Sequence, residues 1–168
     1  LMPALVNAHA HSAMTLLRGA GADLPLSSWL FDVIFPLEAR LTPDMTRAGV
    51  GLAMMEYLRC GVTCVNDMYH FPEQTAQAMG RAGMRVMISN ACVDFGNGKE
   101  QLEDALCFFR EYHNSFGGRV RAGVSVHAEY TSTPELVREL VSACEGLDKV
   151  VHVHLSETEK EVRDCFQR

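Results

Sequence analysis

The sequence predicts an α/β protein built on a parallel sheet, and three observations lead to this fold class. Short apolar segments alternate along the chain with longer segments that have helical signals. The apolar segments are continuous hydrophobic runs, which is typical of strands buried on both faces. Two of the helical segments begin with Thr-Pro followed by an acidic residue, a strong start signal. Strands separated by capped helices indicate crossover connections, and therefore parallel strands.

Five segments are predicted to be strands, because apolar and β-branched residues dominate them and glycine or polar residues bound them. They cover residues 4–6, 62–65, 85–89, 120–126 and 150–155. Five parallel strands fit either an open doubly wound sheet or part of a (β/α)8 barrel. No Gly-x-Gly-x-x-Gly motif follows the first strand, which disfavours the dinucleotide-binding form of the doubly wound sheet.

The helices between these strands are predicted from their start and stop signals. Thr42 is the expected N-cap of a helix that stops at Gly61. Thr133 is the expected N-cap of a second helix, which closes at Gly146. The remaining predicted helices are a short amphipathic one over residues 29–35 and others over residues 73–82, 100–112 and from 159 onward.

The composition is that of an ordinary soluble domain, with 168 residues, 48% hydrophobic and 21% charged. The formal net charge of -6 disfavours nucleic acid or an anionic membrane as the partner, because both attract basic surfaces. No segment approaches the ~20 apolar residues that span a bilayer, and no secretory signal precedes the first strand. The six scattered cysteines include no Cys-x-x-Cys pair, which predicts reduced thiols in a cytoplasmic protein.

Histidines follow the predicted strands at their carboxyl ends. His9 and His11 follow the first strand, His127 follows the fourth, and His154 lies in the fifth. Sites in parallel α/β proteins lie at this edge of the sheet, so we expect these imidazoles to converge. His9 and His11 can bind one ion, and a third imidazole would complete a site for zinc or a similar metal. Glu157 would then move protons between an activated water and a substrate.

Each of these histidines also fits a plainer role when it is taken alone. An isolated His-x-His pair is more often an ordinary polar pair than a pair of ligands, and at most one of His152 and His154 need bind a metal. His127 fits a substrate contact better than a ligand, and His113, at the end of a helix, is expected to be solvated. The joint placement at strand ends favours the metal centre.

Five segments of the chain carry a resemblance to a known family. They are PALVNAHAHSAMTLLRG, LSSWLFDVIFPLEARLTPDM, GVTCVNDMYHF, GVSVHAEYTSTPEL and VHVHLSETEKEV. In these segments the sequence resembles the amidohydrolase superfamily, within it the deaminase branch that includes S-adenosylhomocysteine/methylthioadenosine deaminases and related chlorohydrolases. The resemblance implies that residues 1–168 form a partial (β/α)8 TIM barrel consisting of its first five βα units.

The resemblance also implies a role for each site residue. It implies one divalent metal ion, expected to be Zn²⁺ with Fe²⁺ or Mn²⁺ as alternatives, held by His9, His11 and His154. It implies that Glu157 is the catalytic residue that moves protons. The residues that it implies for substrate binding are Trp29 against the base, Glu38 on the ribose hydroxyls and His127 on the base.

The implied reaction is hydrolytic deamination of an adenosine-type nucleoside or a similar aminated ring. Asn90 stands where we align an arginine that binds the carboxylate of S-adenosylhomocysteine, and Lys99 is a weak substitute. This favours a substrate without that carboxylate, such as 5'-deoxyadenosine or methylthioadenosine. Two alternatives remain: dechlorination or cyclic-amide hydrolysis on the same scaffold, and a non-catalytic half-barrel that self-associates.

The family pattern has parts that these 168 residues lack. A sixth-strand histidine, an eighth-strand aspartate, strands 6–8 and a small flanking β-sandwich are all absent. The chain also begins with Leu1 and ends within a helix-like run. We therefore expect a fragment that is inactive alone, with another copy or a complementary C-terminal part of the barrel as its partner.

Overall fold

The centre of the protein is a parallel sheet of four strands, seen in a computed structural model that describes residues 1–167. The strands lie in the order β1 (Leu5–Ala10), β2 (Val62–Met68), β3 (Arg85–Cys92) and β4 (Val120–Val126). Each strand pairs with the next one along the chain, in parallel. A doubly wound sheet reverses its strand order at a switch point. The unbroken order here is that of successive βα units in a barrel, so the predicted fold class is confirmed.

The helices are α1 (Leu26–Ser28), α2 (Phe35–Glu38), α3 (Pro43–Arg59), α4 (Pro72–Arg81), α5 (Gly98–Tyr112), α6 (Ser115–Gly118), α7 (Pro134–Ala143) and α8 (Glu159–Phe166). The five longer helices, α3, α4, α5, α7 and α8, begin and end close to the predicted positions, whereas the short helices α1, α2 and α6 have no counterpart among the predictions. A π-helix over Trp29–Ile34 joins α1 to α2. The side chains of Thr42, Thr133 and Thr158 accept backbone hydrogen bonds at the starts of α3, α7 and α8. These caps satisfy amide groups that the helices leave unpaired.

The core lies between the sheet and the helices that cover it. Its buried side chains come from both the strands and the helices, and they include Val50, Met79, Ile88, Val124 and Leu140. His113, expected to be solvated, packs at the edge of this core with its ring stacked on Phe109 at 4.5 Å. Its Nδ1 lies 3.1 Å from the carbonyl oxygen of Ala122. The expectation for His113 was wrong because the loop after α5 turns the ring back onto the sheet.

The predicted fifth strand over residues 150–155 is the main correction. This segment runs beside β4 but makes only one bridge, between Ala128 and His154. The backbone N–H of His152 donates to the side chain of Ser125 at 2.9 Å rather than to a carbonyl, which interrupts the ladder. Gly123 lets the segment approach closely, because a Cβ there would lie 2.7 Å from the carbonyl oxygen of Val150. The described chain therefore has four strands and an extended edge segment.

Two further findings concern the chain as a whole. No helix within residues 1–167 is long and apolar enough to cross a membrane. The six cysteines are all free thiols in this part of the chain.

Candidate metal centre and adjoining cavity

Three histidines from opposite edges of the sheet meet at its carboxyl end. His9 is near the end of β1 and His11 follows that strand, whereas His154 lies in the segment beyond β4. In a flat sheet these positions would be about 19 Å apart, four strand spacings of about 4.8 Å. Instead the Nε2 atom of His154 lies 3.1 Å from Nε2 of His11 and 3.2 Å from Nε2 of His9. The curvature of the barrel therefore builds this site.

Backbone carbonyl groups fix the orientation of two of the three rings, those of His11 and His154, through their other nitrogen atoms. Nδ1 of His11 lies 2.6 Å from the carbonyl oxygen of Met68, and Nδ1 of His154 lies 2.9 Å from that of His127. A carbonyl only accepts, so both rings carry their proton on Nδ1 and direct the Nε2 lone pair into the cluster. Burial, and secondarily the charges of His154 and His9, lowers the pKa of His11 to about 4. The ring is therefore neutral near pH 7, the form that binds metals.

This donor set fits a divalent metal ion. Candidate ligand atoms of His9, His11 and His154 all lie within 4.8 Å of one another. Two nitrogen ligands of a tetrahedral zinc ion, with bonds of about 2.05 Å, are about 3.3 Å apart. The two Nε2–Nε2 distances, 3.1 Å and 3.2 Å, are close to that value. Facing lone pairs at these distances repel each other, and a cation between them removes the repulsion.

Glu157 lies beside this cluster, in the turn before α8. Its Oε2 accepts a hydrogen bond from the hydroxyl of Tyr130 at 3.0 Å. Its backbone N–H donates to Oε2 of Glu161 at 2.6 Å, and Ser156 before it has a left-handed φ of 55°. The turn and the capped helix thus place the Glu157 carboxylate at the wall of the same cavity as His11 and His154.

A cavity of about 430 Å³ opens next to the histidines. Trp29, Glu38 and His127, predicted from the sequence to bind substrate, all line it. The indole N–H of Trp29 donates to the carbonyl oxygen of Ala20 at 2.9 Å, which fixes the ring plane. Nδ1 of His127 lies 2.9 Å from the hydroxyl oxygen of Thr131. Burial and the charge of His154 lower the pKa of His127 to about 4, so this ring is neutral as well.

Sequence reasoning missed several residues of the cavity wall. Nε2 of His70 lies 3.5 Å from a carboxylate oxygen of Glu38, and burial together with Glu38 raises the pKa of Tyr69. Tyr130, the contact of Glu157, lies in a short 3-10 turn. The only sequence signal for these residues is that each closely follows a predicted strand. The other apolar and aromatic side chains of the wall include Met14, Leu26, Leu30, Ile34, Phe35, Phe71, Ala91, Val93 and Phe95.

Asn90 does not occupy the position that its sequence alignment suggested. It lines a separate cavity with residues of α4 and α5, whereas its neighbour Ala91 lines the cavity beside the histidines. Successive strand residues point to opposite faces. The identity of residue 90 therefore carries no information about a ligand carboxylate, and our interpretation of it was wrong. Lys99 lines a third cavity and pairs with Glu139 at 3.1 Å.

Asp67 supports the site from the end of β2. Its side chain has no exposed surface, and its Oδ1 accepts the backbone N–H of Ser12 at 3.0 Å. Its Oδ2 has no hydrogen-bond partner among the described residues. Burial raises the pKa of Asp67 to about 6. The carboxyl group therefore fixes the turn that follows His11. Its ionised form lowers the stability of the folded protein, because the charge is buried.

The comparisons with known proteins agree with this fold and this cluster. The model of the amidohydrolase family matches residues 1–167, so the chain belongs to the amidohydrolase family. It is 40% identical over 167 residues to the 5'-deoxyadenosine deaminase of Methanothermobacter thermautotrophicus, covering 98% of this chain and 39% of that protein. It is 42% identical over 170 residues to the 5-methylthioadenosine/S-adenosylhomocysteine deaminase of Nitratidesulfovibrio vulgaris, with 99% and 39% covered.

Solved structures of deaminases have the same fold as this chain. An adenosine deaminase from Xanthomonas campestris with bound zinc superposes with a TM-score of 0.91 at 34% identity, covering 99% of this chain and 39% of that one. The guanine deaminase of E. coli, at 21% identity and a TM-score of 0.80, shares the fold. The chain spans about 39% of the length of the curated relatives that it matches.

Proposed function

We propose that this chain carries the metal-binding part of a hydrolytic deaminase for adenosine-type nucleosides. One observation carries the proposal: three imidazole Nε2 atoms converge beside the Glu157 carboxylate at the wall of a largely apolar cavity. The names of the similar proteins, 5'-deoxyadenosine and 5-methylthioadenosine/S-adenosylhomocysteine deaminases, support this substrate class.

His9, His11 and His154 would hold one divalent ion at this centre. Three nitrogen donors favour zinc, with Fe²⁺ and Mn²⁺ as the alternatives. The bound ion would act as a Lewis acid and activate water for attack. The carbonyls of Met68 and His127 would keep two of the ligand rings in the binding orientation.

Glu157 would move the protons of the reaction. Water adds to the ring carbon that bears the amino group, and the C–N bond breaks to release ammonia. Glu157 would accept a proton from the water and deliver it to the ring nitrogen. The second proton of the water would pass to the amino group as the ring carbonyl forms, so that the group leaves as ammonia. The hydrogen bond from Tyr130 to Oε2 holds the carboxylate in place while leaving Oε1 for this transfer.

The substrate would be held by residues of the cavity wall. The Trp29 ring would pack on the base, neutral His127 would hydrogen-bond to it, and Glu38 would accept hydrogen bonds from the ribose hydroxyls. No lysine or arginine lies among the described residues that line this cavity. A desolvated carboxylate would therefore face apolar rings and the acids Glu38 and Glu157. We propose 5'-deoxyadenosine or methylthioadenosine as substrate rather than S-adenosylhomocysteine.

The remaining parts of the proposal concern the whole protein. Residues 1–168 would form the first βα units of the barrel, and a sixth-strand histidine and an eighth-strand aspartate would come from a complementary C-terminal part. Another copy of this chain could cover the strand edges but could not supply these two residues. The 168-residue chain alone would bind zinc and nucleoside without turning over. Six free thiols support a cytoplasmic location.

The test begins with binding, because Trp29 is the only tryptophan of the chain and lines the cavity. We expect 5'-deoxyadenosine and methylthioadenosine to change the Trp29 fluorescence of the zinc-loaded chain. We expect both to bind at least about 10-fold more tightly than S-adenosylhomocysteine, since an unpaired buried charge costs more than 1 kcal/mol. Absence of zinc binding, or equal affinity for all three nucleosides, would contradict the proposal.

The second part of the test measures the products. Ammonia and chloride release are followed for aminated and chlorinated rings, with the chain alone and with the complementary C-terminal part of the barrel added. Glu157→Gln is the matched control that keeps the shape of the site. Ammonia release that depends on Glu157 would support deamination, and would correct the expectation of inactivity if the chain alone produced it. Chloride release without ammonia would favour the dechlorination alternative.

A further inference from the structure

His152 is a fourth imidazole at the candidate metal centre, and the roles given above do not use it. Its Nε2 lies 2.7 Å from Nδ1 of His9. The two rings are edge-on, with centroids 4.8 Å apart and an interplanar angle of 89°. The backbone of His152 is anchored by its hydrogen bond to Ser125. The ring is therefore held against the side of His9 that faces away from the cluster of Nε2 atoms.

His9 differs from the other two candidate ligands in what holds its Nδ1 atom. Backbone carbonyls hold Nδ1 of His11 and of His154, and a carbonyl can only accept a proton. Nδ1 of His9 has a side chain, His152, as its partner. An imidazole nitrogen can either donate or accept, so the proton position on His9 depends on that of His152.

We propose that His152 is a positioning residue of the metal centre. Its Nε2 accepts the Nδ1 proton of His9 and thereby leaves the Nε2 lone pair of His9 free for the metal. This inference rests on the proposed metal centre and adds a residue that determines the strength of metal binding. His152 would accept the Nδ1 proton of His9, as backbone carbonyls accept the Nδ1 protons of His11 and His154.

The opposite proton arrangement is incompatible with metal binding by His9. If Nε2 of His152 carried the proton, the neutral ring of His9 would carry its own proton on Nε2, pointing into the cluster. Both arrangements hold two protons on two rings, so metal binding selects one without a net change in protonation. In the selected form His152 carries its proton on Nδ1, which is buried and has no partner within residues 1–167. Its contact with His9 is thus the one hydrogen bond of the ring in the described chain.

The variant test compares zinc affinity, measured by competition with a chromophoric chelator. His152→Phe keeps an aromatic ring but removes the acceptor, and outer partners of metal ligands typically contribute 10- to 100-fold to metal affinity. We therefore expect His152→Phe to weaken zinc binding by about 10- to 100-fold. His152→Gln keeps an acceptor oxygen and should recover most of the loss. His113→Phe is the matched control, because it removes a buried histidine hydrogen bond away from the centre.

A measurement on the wild-type chain does not depend on any variant folding. In the ¹⁵N-labelled, zinc-loaded chain, we expect a proton on Nδ1 of His9 and a coupling across the hydrogen bond to Nε2 of His152. An unprotonated Nδ1 on His9, or zinc affinity of His152→Phe equal to that of the wild type, would overturn the role of His152 alone. Failure of the wild-type chain to bind zinc through His9, His11 and His154 would instead overturn the proposed metal centre.

Discussion

The middle of the sheet and its two edges differ in how they are held, and the candidate ligands lie on the edges. β2 and β3 are paired on both sides, and β4 is paired with β3 in register over its whole length. By contrast, β1 pairs irregularly and the 150–155 segment makes a single bridge. Apolar side chains are exposed on both edges, including Val6 at 65% and Leu155 at 69%.

This difference shows how a rigid centre can orient ligands that lie outside it. Met68 ends β2 and His127 directly follows β4, and their carbonyl oxygens hold the rings of His11 and His154. The regularly paired strands of the sheet thus orient the candidate ligands through backbone carbonyl groups. A metal ion held by His9, His11 and His154 would in turn connect the two edges. The metal should therefore stabilise the edges more than the centre, and the predictions below test that distinction.

Removing an edge ligand should have the largest effect. We expect His154→Ala to weaken zinc binding by more than about 1000-fold, because loss of a direct ligand exceeds the 10- to 100-fold cost of losing an outer partner. Chelator competition measures this affinity. His70→Ala is the control, since His70 lines the same cavity but is not in the ligand cluster. Equal losses in the two variants would show that the cluster is not the binding site.

A buried acid of the centre should have the next largest effect, and it should not depend on zinc. The pKa of Asp67 rises from 3.8 to about 6 on folding. Between those pH values the unfolded chain releases the proton while the folded chain retains it, so stability falls as pH rises through this window. Two pKa units correspond to about 3 kcal/mol, a penalty that is complete above about pH 6.

The variant Asp67→Asn tests this pH dependence. Its Oδ1 can still accept the N–H of Ser12, but it has no charge. We expect its stability relative to the wild type to increase by about 2.4 kcal/mol between pH 4 and pH 7.5, because at pH 4 the unfolded wild-type chain has already released part of the proton. Urea unfolding at the two pH values measures the difference in the free energy of unfolding between the variant and the wild type. If this difference does not change with pH, the pKa of Asp67 in the folded protein is the same as in the unfolded chain.

Zinc itself should distinguish the edges from the centre. A ligand at 100 times its Kd stabilises the state that binds it by about 2.7 kcal/mol. This free energy corresponds to a factor of about 100 in rate. We therefore expect hydrogen exchange of the amides in residues 150–155 and in β1 to slow by about 100-fold or more at low denaturant. Amides of β3 should change less under the same conditions. Equal protection throughout the sheet would show that the edges unfold only together with the centre.

The sequence predicted those features that depend on neighbouring residues. The start of α3 at Thr42 and that of α7 at Thr133 were correct because cap and proline signals act within one turn. The 150–155 segment has the composition of a buried strand, but a regular ladder needs partners that composition does not reveal. Asn90 was misplaced because a shift of one residue moves a strand side chain to the other face.

The site shows the same division between local and distant information. The sequence predicted that His9, His11 and His154 lie close together, because the carboxyl ends of parallel strands lie at the same end of the sheet. The contact between His152 and His9 and that between Tyr130 and Glu157 depend on ring orientation across distant segments. Residue spacing carries no signal for either contact.

Matched helix caps give the smallest and most local test of the comparison. Thr42 accepts the N–H of Met45 at the start of α3, and Thr158 accepts that of Glu161 at the start of α8. Loss of such a cap costs about 1 kcal/mol. We expect Thr42→Ala to lower the global free energy of unfolding by that amount, because α3 packs on the core through Val50 and Ala53. Thr158→Ala should instead increase hydrogen exchange only in α8 and leave global unfolding unchanged. Equal global losses would show that α8, beside the edge segment, is as tightly coupled to the core as α3.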